Sequence, residues 1–309
     1  MMKYMDGFSS IINVLMANHK PPATSELFAT FGSVHLNVTS LEKATWFWTK
    51  IAGMKVRKAT PSTTEFGSDQ NTLVVVHQSA QNRYQKGYSG LYHVAIHAGS
   101  NAEFAKMVYR VIQQNYPCSP TDHTMSKSLY MEDPDGITIE FTLETPERFK
   151  RVVTTAGLAM EDSNGIIRQP SAPLNLDDVM KDLDDKDTTT VISNNARIGH
   201  IHLYANNVDK LYAFYLQLGF LQFNYLPRFL YADVGAGGAY QHRIAMNAWH
   251  GTNKPLAPAT NAGLRYFQIV FHSKQKLDEA LSNITSYTEK DGSFCVTDPT
   301  GNTILLSHA

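Results

Sequence analysis

"VHLNVTSLEKATWFWTKIAGMKV" (residues 34–56) has a counterpart later in the chain, "IHLYANNVDKLYAFYLQLGFLQF" (201–223). Each predicts a strand of alternating faces, a polar turn, an amphipathic helix ended by Gly53 or Gly219, and a returning strand. Two further pairs follow in the same order, "GLYHVAI" (90–96) with "GLRYFQI" (263–269), and "DPDGITIEF" (133–141) with "DPTGNTILL" (298–306). Their offsets, 202 − 35 = 167, 263 − 90 = 173 and 298 − 133 = 165, are nearly constant. The chain is a tandem duplication.

Each half divides again. After "YHVAIHAG" comes Ser100 with Glu103 three residues on, a capping-box pattern, and then a helical run that Pro117 closes. The strands "SKSLYME" and "ITIEFTL" follow, separated by the turn "DPDG". Four units of strand, helix and several strands result. Residues 1–27 form an N-terminal extension, 28–148 and 196–309 the two repeated domains, and 149–195 an acidic linker. The linker lacks a core pattern apart from a short helix at "LNLDDVMKDL", and is expected on the surface.

Bulk properties exclude several classes. The 309 residues exceed what one core usually serves, which suits two domains. The 27 basic and 28 acidic residues nearly cancel, so no charge field favours nucleic acid. Cys118 and Cys295 make neither a disulfide framework nor a zinc knuckle. The apolar run "IINVLMA" is too short for a bilayer and lacks signal-peptide features, so no membrane partner is expected and the cytoplasm is the default.

Strand faces then single out side chains. In "GSVHLNV" (32–38) Val34, Leu36 and Val38 point one way, and Ser33, His35 and Asn37 the other. In "LYHVAI" His93 opposes Tyr92, Val94 and Ile96. In "ITIEFTL" Glu140 opposes Ile137, Ile139, Phe141 and Leu143. A lone strand histidine is ordinarily a hydrogen-bonded or surface residue. Three such groups on equivalent faces are a stronger sign, because two imidazoles and a carboxylate form the facial-triad set. That set suits Fe(II), Mn(II), Ni(II) or Zn(II) better than Ca(II).

The pieces "VHLNVTSLEKATWFW", "LYHVAI", "SLYMEDPDGITIEF", "IGHIHL" and "DPTGNTI" resemble the vicinal oxygen chelate superfamily. That superfamily includes glyoxalase I, fosfomycin and bleomycin resistance proteins, and extradiol dioxygenases. More narrowly, the chain looks like the superfamily's two-domain catechol-2,3-dioxygenase-like group. The resemblance implies an α+β fold in which paired βαβββ units form two incomplete barrels. It also implies His35, His93 and Glu140 as metal ligands, Fe(II) as the expected metal, and Tyr130 as a hydrogen-bond partner of the bound substrate.

The acid–base histidine of extradiol enzymes is missing from its expected place, which Asn71 holds; His77 and His123 are the candidates for that role. In the second half Tyr266 and Leu305 replace ligands, so that metal site is read as degenerate. His200, His202 and His242 are read as satisfied core or surface residues. The expected function is metal-dependent extradiol cleavage of a small catecholic aromatic by dioxygen. A glyoxalase-type isomerase or lyase and a metal-free drug-binding protein are the alternatives, and a homo-oligomer stays open.

Overall fold

The structure is a computed structural model that describes residues 26–309, so "IINVLMA" and nearly all of the N-terminal extension lie outside it. Unit I comprises β1 (Ala29–Val38), α1 (Leu41–Trp46, continued by a π-helical turn over Phe47–Ile51), β2 (Lys55–Ala59), β3 (Thr63–Gly67) and β4 (Thr72–Gln78). Unit II comprises β5 (Gly90–His97), α2 (Asn101–Gln113), β6 (Ser119–Asp122), β7 (Ser126–Glu132) and β8 (Thr138–Glu144). An insert follows, with β9 (Phe149–Val153), β10 (Ala159–Asp162), β11 (Ile167–Arg168), β12 (Ala172–Pro173) and α3 (Leu176–Met180). Unit III holds β13 (Arg197–Tyr204), α4 (Val208–Gln217), β14 (Leu221–Leu226), β15 (Tyr231–Gly235) and β16 (Ile244–Asn247). Unit IV holds β17 (Gly263–Phe271), α5 (Lys274–Ser282), β18 (Thr288–Lys290), β19 (Ser293–Thr297) and β20 (Thr303–His308).

The local signals act as the residues dictate. Ser100 Oγ accepts the Glu103 N–H while the Glu103 carboxylate accepts the Gly99 N–H, starting α2. Asp133 Oδ1 accepts the N–H groups of Asp135 and Ile137, and Asp298 Oδ1 those of Thr300, Gly301 and Asn302. Both turns close on a glycine at positive φ, Gly136 and Gly301, where a side chain would be strained. The apolar strand faces pack under the helices: Phe104, Val108 and Val111 of α2 and Leu211, Tyr215 and Leu216 of α4 are buried with Val94, Ile96, Ile201 and Leu203. No helix among the described residues is long and apolar enough to cross a membrane.

The sheets do not follow the sequence halves. One sheet runs β18-β19-β20-β17-β1-β4-β3-β2 and joins units I and IV. The other runs β12-β6-β7-β8-β5-β13-β16-β15-β14 and joins units II and III. Antiparallel pairs close each, with His35 opposite Tyr266 between β1 and β17, and His202 opposite His93 between β5 and β13. This replaces the expected division into barrels at 28–148 and 196–309. Periodicity sets which face of a strand is buried, but the four first strands offer equivalent backbone edges, and nothing in their side-chain pattern says which pairs with which.

The insert also departs from a plain linker. β9, β10 and β11 form a three-stranded sheet, and β12 extends the second large sheet at β6. The short helix expected in "LNLDDVMKDL" is present as α3. Arg110, buried in α2, donates to the carbonyls of Thr188 (3.1 Å) and Thr190 (2.6 Å), which ties the acidic stretch down.

Because both sheets draw on both halves of the sequence, a chain cut within the exposed stretch 184–187 should stay in one piece. With a protease site engineered there, the two fragments are expected to co-elute on size exclusion after cleavage. Separation without denaturant would contradict the observed pairing.

Candidate metal centre and cavity

β5 lies between β8 and β13, so the polar faces of three neighbouring strands converge. His93 Nε2, Glu140 Oε2 and His200 Nε2 meet there, at 2.9 Å (His93–Glu140), 3.0 Å (His200–Glu140) and 3.1 Å (His93–His200). All three residues are buried, and among the described residues they are the group whose donors converge closely enough to hold a metal. Metal–nitrogen and metal–oxygen bonds of about 2.1 Å put donors at right angles about 3.0 Å apart, against about 3.4 Å for a tetrahedron. The observed spacing is that of three donors on one octahedral face.

The surrounding hydrogen bonds determine which nitrogen of His200 is free. Glu144 accepts from Arg197 Nη2 (2.7 Å), Arg243 Nη1 (2.7 Å) and His97 Nδ1 (2.8 Å). Against the effect of burial, His97 and the two guanidinium groups hold the Glu144 carboxyl well below the usual range. His97 is fully buried and its pKa is lowered to about 4, chiefly by desolvation, so its ring is neutral near pH 7. With Nδ1–H given to Glu144, His97 Nε2 must accept from His200 Nδ1 at 2.8 Å. His200, also kept neutral by burial, therefore turns a lone pair on Nε2 towards His93 and Glu140. Gly199 is required here, since a Cβ at that position would overlap the His97 ring. Glu140 Oε2 finds no aligned hydrogen bond. The buried lone pairs of Glu140 Oε2 and His200 Nε2, 3.0 Å apart, repel unless a proton or a cation lies between them, and the donor set fits a divalent metal.

Two further pairs face the same cavity, whose volume is ≈ 270 Å³. His123 Nδ1–H donates to the Pro170 carbonyl (2.8 Å), so Nε2 accepts the Tyr130 hydroxyl at 3.0 Å. Burial first, then Glu140, raises the Tyr130 phenol well above its ordinary pKa, keeping it protonated. On the other side Asp233 Oδ2 accepts from Tyr231 Oη and His242 Nδ1, both at 2.7 Å. That leaves His242 Nε2 without a partner among the described residues, on a ring 4.7 Å from that of His200. His202 is held by Asn247 at 2.9 Å, whose Oδ1 accepts the Trp249 N–H.

The structure thus brings His93, Glu140, His123 and Tyr130 together but places His35 and His77 in the other sheet. His35 Nδ1 bonds His77 Nε2 (2.9 Å), its Nε2 bonds Ser33 Oγ (3.0 Å), and its ring stacks on Tyr266 at 3.9 Å. His35 is therefore a satisfied core histidine and His77 its partner, not ligand and base. Asn71 donates to the Asn194 carbonyl in a hairpin outside the cavity and holds no acid–base position. Tyr92 lines the cavity, whereas Phe47 and Trp48 are core.

Sequence reasoning passed over His200 and His242. Matching His35 with His202 hid His200, whose repeat counterpart is Ser33 (200 − 33 = 167). The readable signal was the second histidine on one face in "IGHIHL". His242 carried no periodic signal.

The Glyoxalase/Bleomycin resistance protein/Dioxygenase superfamily profile matches residues 30–141. A Bacillus subtilis protein named catechol-2,3-dioxygenase is 28% identical over 276 residues, covering 87% of this chain and 93% of its own length. Among solved structures, a candidate dioxygenase from Bacillus subtilis superposes with TM-score 0.57 at 10% identity, covering 92% of this chain and 86% of its own. Glyoxalase I from Zea mays gives 0.50 at 13% identity, covering 90% and 92%. The latter two likenesses concern the fold alone.

Substitution of His200 or Glu140 by Ala should abolish metal retention after dialysis, whereas His35→Ala should leave it intact. His97→Ala, which removes the support of His200, should weaken metal affinity by about 10–100-fold. Metal titration of the four variants checks both. Burial, then His77 and Arg265, lower the His35 pKa to about 3. The unfolded chain therefore takes up its proton first, and stability should fall as pH drops from about 6.5 towards 3. Urea midpoints of the His35→Gln variant should show a shallower fall over that window.

Residues 30–141 thus form a domain of the glyoxalase/bleomycin resistance/dioxygenase superfamily, and the paired βαβββ units repeat the same fold through the rest of the described chain.

Proposed function

We propose that the protein is an extradiol-type ring-cleaving dioxygenase acting on a small catecholic aromatic, with Fe(II) held by His93, Glu140 and His200. The observation that carries this reading is the placing of three convergent donors between a carboxylate-oriented histidine and a tyrosine–histidine pair. The similarity to a protein named catechol-2,3-dioxygenase over most of both chains supports it. Held by His93, Glu140 and His200, such a metal would supply Lewis acidity towards the diol and the redox chemistry for dioxygen.

The chain's own groups supply binding and proton transfer. His242 Nε2 takes a phenolic proton, and Asp233 on Nδ1 steadies the imidazolium that forms. Tyr130 donates its hydroxyl hydrogen to a substrate oxygen in place of His123, whose ring Pro170 keeps in the accepting tautomer. The proton held by His242 is returned later. Catechol and dioxygen thus combine into one ring-opened hydroxy semialdehyde without an external reductant. Glyoxalase-type isomerisation would need a free carboxylate base facing Glu140. The other carboxylate in the cavity, Asp233, is already engaged by Tyr231 and His242.

The test is metal analysis of anaerobically purified protein, followed by catechol and air with absorbance recorded for the yellow product. His242→Ala should keep its metal and lose about 10²–10⁴-fold in kcat. A stoichiometric metal with no ring opening in the unmodified protein would overturn the reading.

A further inference from the structure

The insert closes the cavity with a face unlike the one that carries the chemistry. Register pairs Val152 on β9 with Met160 on β10, and both turn inward, joined by Leu158 from the connecting turn. The next pair along, Arg151 with Glu161, turns outward, as the period-two alternation of strands requires. Every cation on this small sheet is engaged by a carboxylate of β10: Lys150 and Arg151 with Glu161, and Arg168, opposite Met160 in register, with Asp162, each at 2.6 Å. Leu226 and Met125 continue the apolar wall. Among the described residues neither Lys nor Arg lines the cavity, while two carboxylates, Glu140 and Asp233, do.

A ligand's charge and size follow from that wall. A carboxylate carried on the substrate ring would lie against apolar side chains with no cation to meet it, a desolvated and unpaired charge. The volume of ≈ 270 Å³ is just below the ~300–1,000 Å³ of sites for drug-sized ligands, which limits the occupant to one ring with a short substituent. We infer that the site selects an uncharged catechol bearing a short apolar substituent, with the diol on the metal ligands and the substituent against Val152, Leu158 and Met160. This inference rests on the proposed ring-cleaving function for the diol end only. The selection against charge comes from the insert.

The experiment compares 4-methylcatechol with 3,4-dihydroxybenzoate on the full chain. Anaerobic calorimetric titrations, with and without Fe(II), measure binding, and initial rates under air measure ring opening. The methylated diol should bind, and react in kcat/KM, at least about 10-fold better. Met160→Arg, which puts a cation on the apolar wall, should narrow or reverse that ratio. Equal binding of the two diols by the unmodified protein overturns the inference, whatever the variant does. Ring opening of both diols at equal kcat/KM would overturn it while leaving the proposed function standing. Failure to open any diol, with the methylated one still bound more tightly, would sink the function and leave the selectivity intact.

Discussion

The antiparallel pairing of β5 with β13 is the constraint on which the site depends. It sets strands from opposite halves of the sequence side by side, so that His200 comes within 3.1 Å of His93. The parallel neighbour β8, on the other side of β5, brings Glu140 to the same point. The same pairing sets unit III against unit II, which faces the His242–Asp233 pair towards Tyr130 and His123 across one cavity. The β1–β17 pair repeats the operation with other side chains. There Ser33, Tyr266 and Leu305 occupy the positions equivalent to His200, His93 and Glu140, and the polar groups satisfy one another. One fold has been used twice, once for chemistry and once for support.

Charge and tautomer are controlled from outside the donor set. Arg197 and Arg243 keep Glu144 ionised, Glu144 sets the proton of His97, and His97 sets that of His200. At each step an acceptor without protons meets a ring nitrogen with one, so a single arrangement satisfies the whole chain of bonds. The same device recurs at His123, fixed by the Pro170 carbonyl, and at His242, fixed by Asp233. Pro170 belongs to the insert, so the segment that walls the cavity also fixes the tautomer of His123.

Much of this was legible in the residues. The repeat showed four units, alternation placed His93 and Glu140 on polar strand faces before any pairing was known, and the family resemblance pointed to Tyr130. Strand partnership was not legible, because backbone edges carry no side-chain code. That gap exchanged His35 for His200, since β13 and not β1 is the strand beside β5, and it hid His242, which matters only once unit III faces unit II. The insert was opaque for another reason. Its strands are short, and its inward side chains, such as Val152 and Met160, alternate with charges that resemble a solvated linker.

The most direct test is a crystal of the protein grown with Mn(II) or Fe(II) and examined by anomalous scattering. One peak is expected per chain, about 2.1–2.3 Å from His93 Nε2, Glu140 Oε2 and His200 Nε2. A peak beside His35 and His77, or none on the second sheet at full metal loading, would contradict the assignment of the site to the pairing of units II and III.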